Sequence, residues 1–176
     1  ATTNGFTAQE LYSTASYKAR DLSGIKLNST NWLSTLSGWN FAGQNLTSAS
    51  LTSADLSGAS LAGANRTGAS LSGATLTNAD LTDAVISGAN LSSARGLTAQ
   101  QLYSTASYKS HDLTGVDLQS DIASGWSFAG QNLTDALLPA ALTNTDFTDA
   151  VVQGANFSSA TRAGFTAPQL YATASY

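Results

Sequence analysis

The chain has 176 residues, enough for one domain with its own core, and contains neither cysteine nor methionine, which excludes disulfides and thiol chemistry. Only 10% of its residues are charged and the net charge is −4, a balance that argues against nucleic acid as a partner, because phosphate binding needs a basic surface. No apolar run approaches the about 18 residues of a transmembrane segment, and a polar surface of Ser, Thr, Asn, Gln and Gly reads as extracellular or cell-surface, with a cytoplasmic setting left open.

Residues 5–24 open with a helix signal. Thr7 can cap the helix, Glu10 three residues later can close a capping box, and Phe6 and Leu11 hold the two staple positions. The segment returns at 96–115 with 15 of 20 positions identical, and its opening returns at 164–176 with 10 of 13 identical, so Thr98 and Thr166 are the corresponding caps. Each copy predicts a helix of about 8 to 10 residues, too short to hold without packing, with Leu11 and Ala15 turned toward the rest of the protein. The chain reads as a single domain, 1–176, made of two modules, 5–95 and 96–163, and the opening of a third at 164–176. Its bodies repeat as well: GWNFAGQNLT at 38–47 matches GWSFAGQNLT at 125–134, and 76–94 matches 142–160.

Behind each helix signal the sequence repeats every five residues. One column is alanine: Ala49, Ala54, Ala59, Ala64, Ala69, Ala74, Ala79, Ala84, Ala89 and Ala94. A second column follows two residues later, at Leu51, Leu56, Leu61, Leu71, Leu76, Leu81, Ile86 and Leu91, and Arg66 stands where a leucine belongs. On a helix, residues five apart precess by about 140°, which smears any apolar stripe around the cylinder, and a flat strand has period two. The spacing fits a chain that turns a corner every five residues with both columns pointing inward. Four sides make a coil of about 20 residues, stacked on the next at about 4.8 Å by parallel hydrogen bonding. The rungs run Leu22, Leu27 and Trp32, then slip by one residue to Leu36 and Phe41; a second slip falls between Leu138 and Leu142, beside Pro139. About 25 rungs give about six coils and a body about 30 Å long.

The unit is Ala, then Asp or Asn, then Leu, then Ser or Thr, then Gly, Ser, Asn or Asp, as in Ala54-Asp55-Leu56-Ser57-Gly58 and Ala89-Asn90-Leu91-Ser92-Ser93. It resembles the pentapeptide-repeat family over most of residues 20–160. That resemblance implies the fold: an all-β solenoid, a right-handed quadrilateral parallel β-helix, interrupted here by short α-helices at the module junctions. Some members of that family are acidic rods that mimic DNA and protect a topoisomerase, which the resemblance implies as an alternative function.

Few residues point to chemistry. The single histidine, His111, aligns with Arg20 of the first module and reads as a surface residue; without cysteine it cannot complete a Cys/His nucleophile or a zinc site. No enzymatic activity, cofactor or small-molecule ligand is expected. Asp80 with Asp83, and Asp146 with Asp149, recur at equivalent positions and are weak candidates for a hard cation, which wants about six oxygens or more; otherwise they are solvated corner residues. Thr47, Thr67 and Ser87 fall one coil apart on one side, and Thr52, Ser72 and Ser92 on the next, as an ice- or glycan-binding face would require and as strand and corner preferences also explain. Arg66 would find no carboxylate at a neighbouring inward position, so the corner at Gly68 is expected to bulge and turn it outward.

The best-fitting function is structural: a non-enzymatic solenoid serving as a repeat unit or subunit of an extracellular or cell-surface array or filament that assembles end to end. Lys18, Arg20, Lys26, Arg95, Lys109 and Arg162 gather at the module junctions, which makes the junctions positive against acidic shafts. The expected partners are copies of the chain itself or adjacent modules of a longer array, since 164–176 breaks off inside a module.

Overall fold

The computed structural model describes residues 6–28, 35–119, 123–160 and 164–176. Its local unit is the corner. Ala49 N–H donates to Leu46 O at 2.9 Å and Ala54 N–H to Leu51 O at 3.1 Å, so each turn closes from a buried leucine onto the next buried alanine. The second residue inside the turn takes a positive φ: 56° at Ser48, Asn78 and Asp83, 57° at Ser53 and Ser93. Only glycine and short polar side chains adopt that conformation cheaply, which explains the restricted fifth position of the unit. Arg20 and His111 hold it at 58° where the ladder resumes after each helical segment.

The residue before each leucine braces the turn. Asn45 Oδ1 accepts from Thr47 N–H at 3.1 Å and from its hydroxyl at 2.6 Å; Asp55 does the same for Ser57 at 3.0 and 2.6 Å, and Asn132 for Thr134 at 3.0 and 2.7 Å. Pairing an Asp or Asn with a Ser or Thr two residues later is therefore an Asx turn, repeated on the sides that carry that pair.

Sides stack in parallel: Asn45 bridges Asn65, Ser50 bridges Ser70 and Asp55 bridges Thr75, each 20 residues on. Leu46 N–H donates to Asn65 O at 2.7 Å and Asn65 N–H returns to Gln44 O at 3.1 Å. Parallel-strand stacking was expected, yet among the described residues only isolated single-residue bridges form. A corner every five residues leaves one residue per side free to pair. Departures from 20 mark inserted or deleted chain. The offset is 24 for Asp21 with Asn45, 27 for Asn90 with Asp117, the pair between which two helices intervene, and 19 for Asn132 with Val151, across the slip at Pro139. The slip at Trp32 lies outside the described residues.

The two columns line the interior. Ala49 through Ala89 and Leu51 through Leu91, Arg66 included, are at most 4% exposed. Each leucine removed from water contributes about 1.5–3 kcal/mol, and the alanines keep the corners tight enough for the leucines of four sides to meet.

Among the described residues, five short helices accompany the coils: α1 Ala8–Ser13, α2 Ala15–Lys18, α3 Ala99–Ser104, α4 Ala106–Lys109 and α5 Ala167–Tyr171. A continuous helix of 8 to 10 residues was expected, but each of the first two openings is a broken pair. Thr14 and Thr105 leave the helical region, at ψ 150° and 152°, and cap a second helix through Tyr17 N–H and Tyr108 N–H, both at 3.1 Å. The break leaves Leu11 buried but turns Ala15 to solvent, against the inward direction expected for it. Thr7, Thr98 and Thr166 each donate a backbone N–H to the side chain at N3, at 2.7, 2.9 and 2.8 Å.

Enlarging an inner alanine tests the packing. Ala59→Leu places three extra carbons at a fully buried corner and should cost about 1–3 kcal/mol, read as a lowered thermal midpoint. An unchanged midpoint would mean that the alanine column has room to spare.

Candidate functional site

The sites that set this molecule apart from a plain coil are its junctions, where a helix stands in for part of a rung. Inside a module, the carbonyl of each inner alanine accepts from the coil above, as Ala59 O does from Asp80 N–H at 2.9 Å. At the end of module 1 this pattern continues through side chains. Gln101 of α3 donates its Nε2 hydrogens to Leu76 O at 2.8 Å and Ala79 O at 2.9 Å, while its Oε1 serves the cap at Thr98. Ala84 O then receives Ala106 N–H at 2.9 Å, and Ile86 N–H finds the Ser107 hydroxyl at 3.0 Å. Beyond α4 the backbone ladder resumes, with Asp117 N–H on Ala89 O at 3.0 Å and Leu91 N–H on Asp117 O at 2.8 Å.

The helix pair is held from above by the repeated decapeptide. Tyr108 hydroxyl donates to Ser127 O at 2.9 Å, Tyr103 hydroxyl accepts from Ser127 N–H at 2.6 Å, and buried Gln131 donates to Tyr108 O at 3.1 Å. In module 1, Tyr17, Tyr12 and Gln44 make the same contacts with Asn40 and Tyr17 O, at 2.8, 2.6 and 3.1 Å. The task of the repeat GWxFAGQNLT does not show in its letters alone; the available signal is glutamine, Gln44 and Gln131, in an alanine column.

At the other end, α5 repeats the junction. Gln169 Nε2 donates to Leu142 O at 3.0 Å and Thr145 O at 2.8 Å, Asp149 N–H donates to Ala172 O and Ala174 N–H to Ala150 O, both at 2.9 Å, and Val152 N–H reaches the Ser175 hydroxyl at 2.9 Å. The rung beyond is less covered: Val152 and Phe157 are half-buried, whereas their counterparts Ile86 and Leu91 are each 1% exposed. The opposite end is similar. Ile25 and Leu27 are half-buried beside a recess of about 400 Å³ that also involves Phe6, Leu36 and Trp39, while Val116 and Leu118, their equivalents at the internal junction, are 0% exposed.

The cation candidates do not converge. Asp80 and Asp146 accept from the backbone N–H of Thr82 and Thr148, at 3.0 and 2.9 Å, and Asp83 is paired with Lys109 Nζ at 2.7 Å, across the junction. Asp149 occupies a corner at φ 56°. Among the described residues no group of three or more His, Asp or Glu side chains could hold a metal. His111 is exposed at its corner, with Nδ1 3.2 Å from Gln131 Nε2. The hydroxyls of Thr47 and Thr67 point along the chain to Asn45 and Asn65, at 2.6 and 2.8 Å, so their protons are already committed.

Arg66 is the residue the sequence misplaced. No bulge forms: Arg66 N–H donates to Val85 O at 2.9 Å, Asn65 bridges Val85, and Gly68 keeps the ordinary corner φ of 64°. The side chain is fully buried between Leu46 and Ile86 of the same column, and Nε and both terminal nitrogens have no hydrogen-bond partner. Burial pushes its pKa down to about 10, so it remains charged at neutral pH.

The sequence model described as pentapeptide repeats matches eight copies in this chain, over residues 34–63 and 59–95. Among solved structures the chain is similar to HetL, a pentapeptide repeat protein involved in heterocyst differentiation regulation from the cyanobacterium Nostoc sp. strain PCC 7120, with 30% identity, 78% of this chain and 59% of that chain covered, and a TM-score of 0.36. It is also similar to a pentapeptide repeat protein of the Arabidopsis thaliana thylakoid lumen (26% identity, 76% and 68% covered, TM-score 0.27) and to Rfr23 of the cyanobacterium Cyanothece 51142 (22%, 82% and 84%, 0.28). The chain thus spans about three fifths of the length of HetL. No curated protein matches it significantly.

Two measurements follow from these side chains. Arg66→Leu replaces an unpaired buried cation by the residue of its column and should raise stability by about 1–3 kcal/mol in denaturant unfolding; a loss of stability would reveal a partner for the guanidinium. Donors from Ser57 hold the Asp55 carboxyl below its usual range, as those from Thr82 and Thr148 do for Asp80 and Asp146. Their contribution is present above the unfolded value of about 4 and is lost as pH falls through the lower folded values. The thermal midpoint should therefore drop below about pH 4, and Asp55→Asn, which copies Asn45, should blunt the drop; identical acid profiles for the two proteins would refute the assignment.

Proposed function

We propose that this chain, a pentapeptide-repeat protein over residues 34–95, is a non-enzymatic structural solenoid that acts through shape, with the right-handed quadrilateral β-helix of its family as the finer form of its coil. The observation that carries the reading is the internal junction. Module 2 is set on module 1 through the same parallel bridge, Asn90 with Asp117, that joins coils within a module, so modules stack as coils do. A unit with that property builds arrays by adding modules, and the modules 5–95 and 96–163 are read as two members of such an array. The sparse charge of its surface fits a setting outside the cytosol.

Duplicating one coil tests the proposal. A second copy of residues 56–75 inserted after Thr75 should be absorbed as an extra rung, lengthening the particle by about 5 Å in small-angle scattering and leaving a single cooperative melt. An insertion that unfolds the protein, or leaves its length unchanged, would sink the solenoid reading.

A second reading is favoured by the outward carboxylates of Asp55, Asp80 and Asp146, which their turn donors keep ionised. These could present an acidic face that mimics DNA toward a topoisomerase. Gyrase supercoiling assayed with and without the protein decides it, and absence of any effect at micromolar concentration would remove it.

A further inference from the structure

Three helical openings share one sequence, but they differ at the residue that touches the coil below. In α3 and α5 the N3 residue is glutamine, and its side chain divides the work: Oε1 accepts from the cap threonine while Nε2 fills two carbonyls of the preceding coil. The leucine carbonyl already accepts the N–H that closes its own turn, whereas the alanine-column oxygen is a ladder acceptor that would otherwise receive a backbone N–H from the next coil. In α1 the same position is Glu10. One of its oxygens, Oε2, accepts from Thr7 N–H at 2.7 Å and from the Thr7 hydroxyl at 2.8 Å, as the glutamine oxygen does. Its other oxygen carries no hydrogen. Placed in a seat like those of α3 and α5, it would face two carbonyl oxygens at hydrogen-bond distance, and of the three only the leucine carbonyl would keep a donor, the N–H of its own turn.

We propose that the seat formed by Leu142 O and Thr145 O selects its helix at N3, admitting glutamine and excluding glutamate, so that α5 holds it against α1 of a second copy. The inference rests on the modular reading above and names what governs stacking between copies. The internal junction supplies the geometry a second copy would have to adopt, with Lys26 opposite Asn156 as Asp117 is opposite Asn90. In that register α1 and α5 compete for one seat. α5 brings two donor hydrogens and is tethered in place, whereas α1 brings a carboxylate that the Thr7 bonds keep ionised. Head-to-tail addition of copies, which the basic junctions and acidic shafts suggested, is thus blocked by one side chain, while addition of modules carrying glutamine is open.

The test uses variants of the whole 176-residue chain. Gln169→Glu should release α5, so that the amides of Asp149, Val152 and Ala174 exchange at least about tenfold faster, and Gln169→Ala, which removes the donors without adding charge, should give a smaller increase in the same amides. In sedimentation velocity the wild type and Gln169→Glu should both remain monomers, since neither offers an acceptable helix for an empty seat. Glu10→Gln combined with Gln169→Glu should form head-to-tail oligomers. Unchanged exchange in both Gln169 variants, a double variant that sediments as Gln169→Glu does, or a wild type that associates as strongly as the double variant would each overturn the selection. The coil-duplication result is independent of these outcomes, so failure of the seat and failure of the solenoid are told apart.

Discussion

Everything in this molecule depends on a corner that recurs every five residues. Closing a turn from leucine to alanine fixes which side chains point inward, and it leaves each side one parallel bridge, with the leucine N–H and the N–H of the fifth residue donating to the next coil, as Leu51 does to Ser70 O and Ser53 to Ser72 O, both at 2.8 Å. Sides so short gain little cooperativity one at a time. Register is instead enforced by repetition: a side chain that left the interior would disturb the bridges on both neighbouring coils as well as its own turn.

Arg66 shows the strength of that constraint. Considered alone, a guanidinium should leave an apolar core, because an unpaired buried charge costs more than the few hydrogen bonds of a local bulge. The structure keeps it inside, with its backbone in the ladder and the following corner unaltered. Side-chain direction here is a property of the position in the five-residue frame rather than of the residue that fills it.

That is also why so much of the fold could be read from the sequence, and why the remainder could not. Ala49 to Ala89 and Leu51 to Leu91 are buried by periodicity, a signal that needs no partner to be recognised. The limits of the turn, visible as Gly, Ser, Asn or Asp at the fifth position, were legible for the same reason. The break at Thr14 and Thr105 was written in the sequence as a second cap, but a continuous helix was the simpler reading of the same letters. The junction was not legible at all: Gln101 acts on carbonyls 22 and 25 residues upstream, and a capping box explains the glutamine completely without them. A residue with two jobs shows only the local one in sequence.

The junctions solve a problem that every interrupted stack of coils meets. Replacing part of a coil by a helix removes the N–H groups that the coil below requires, and each buried carbonyl left without a donor costs about 1–3 kcal/mol. Here the losses are covered one by one, by a glutamine amide on Ala79 O, which also reaches the turn carbonyl of Leu76, and by Ala106 N–H on Ala84 O, with the Ser107 hydroxyl accepting from Ile86 N–H. The helix is therefore a mould of the ladder it displaces. An amide side chain can serve in that mould because it carries acceptor and donor on one carbon, the acceptor turned to its own cap and the donor to the coil below. A carboxylate of the same shape can cap but cannot join. The difference between a helix that only begins a module and one that also seats on the coil below it thus comes down to a single NH2 group.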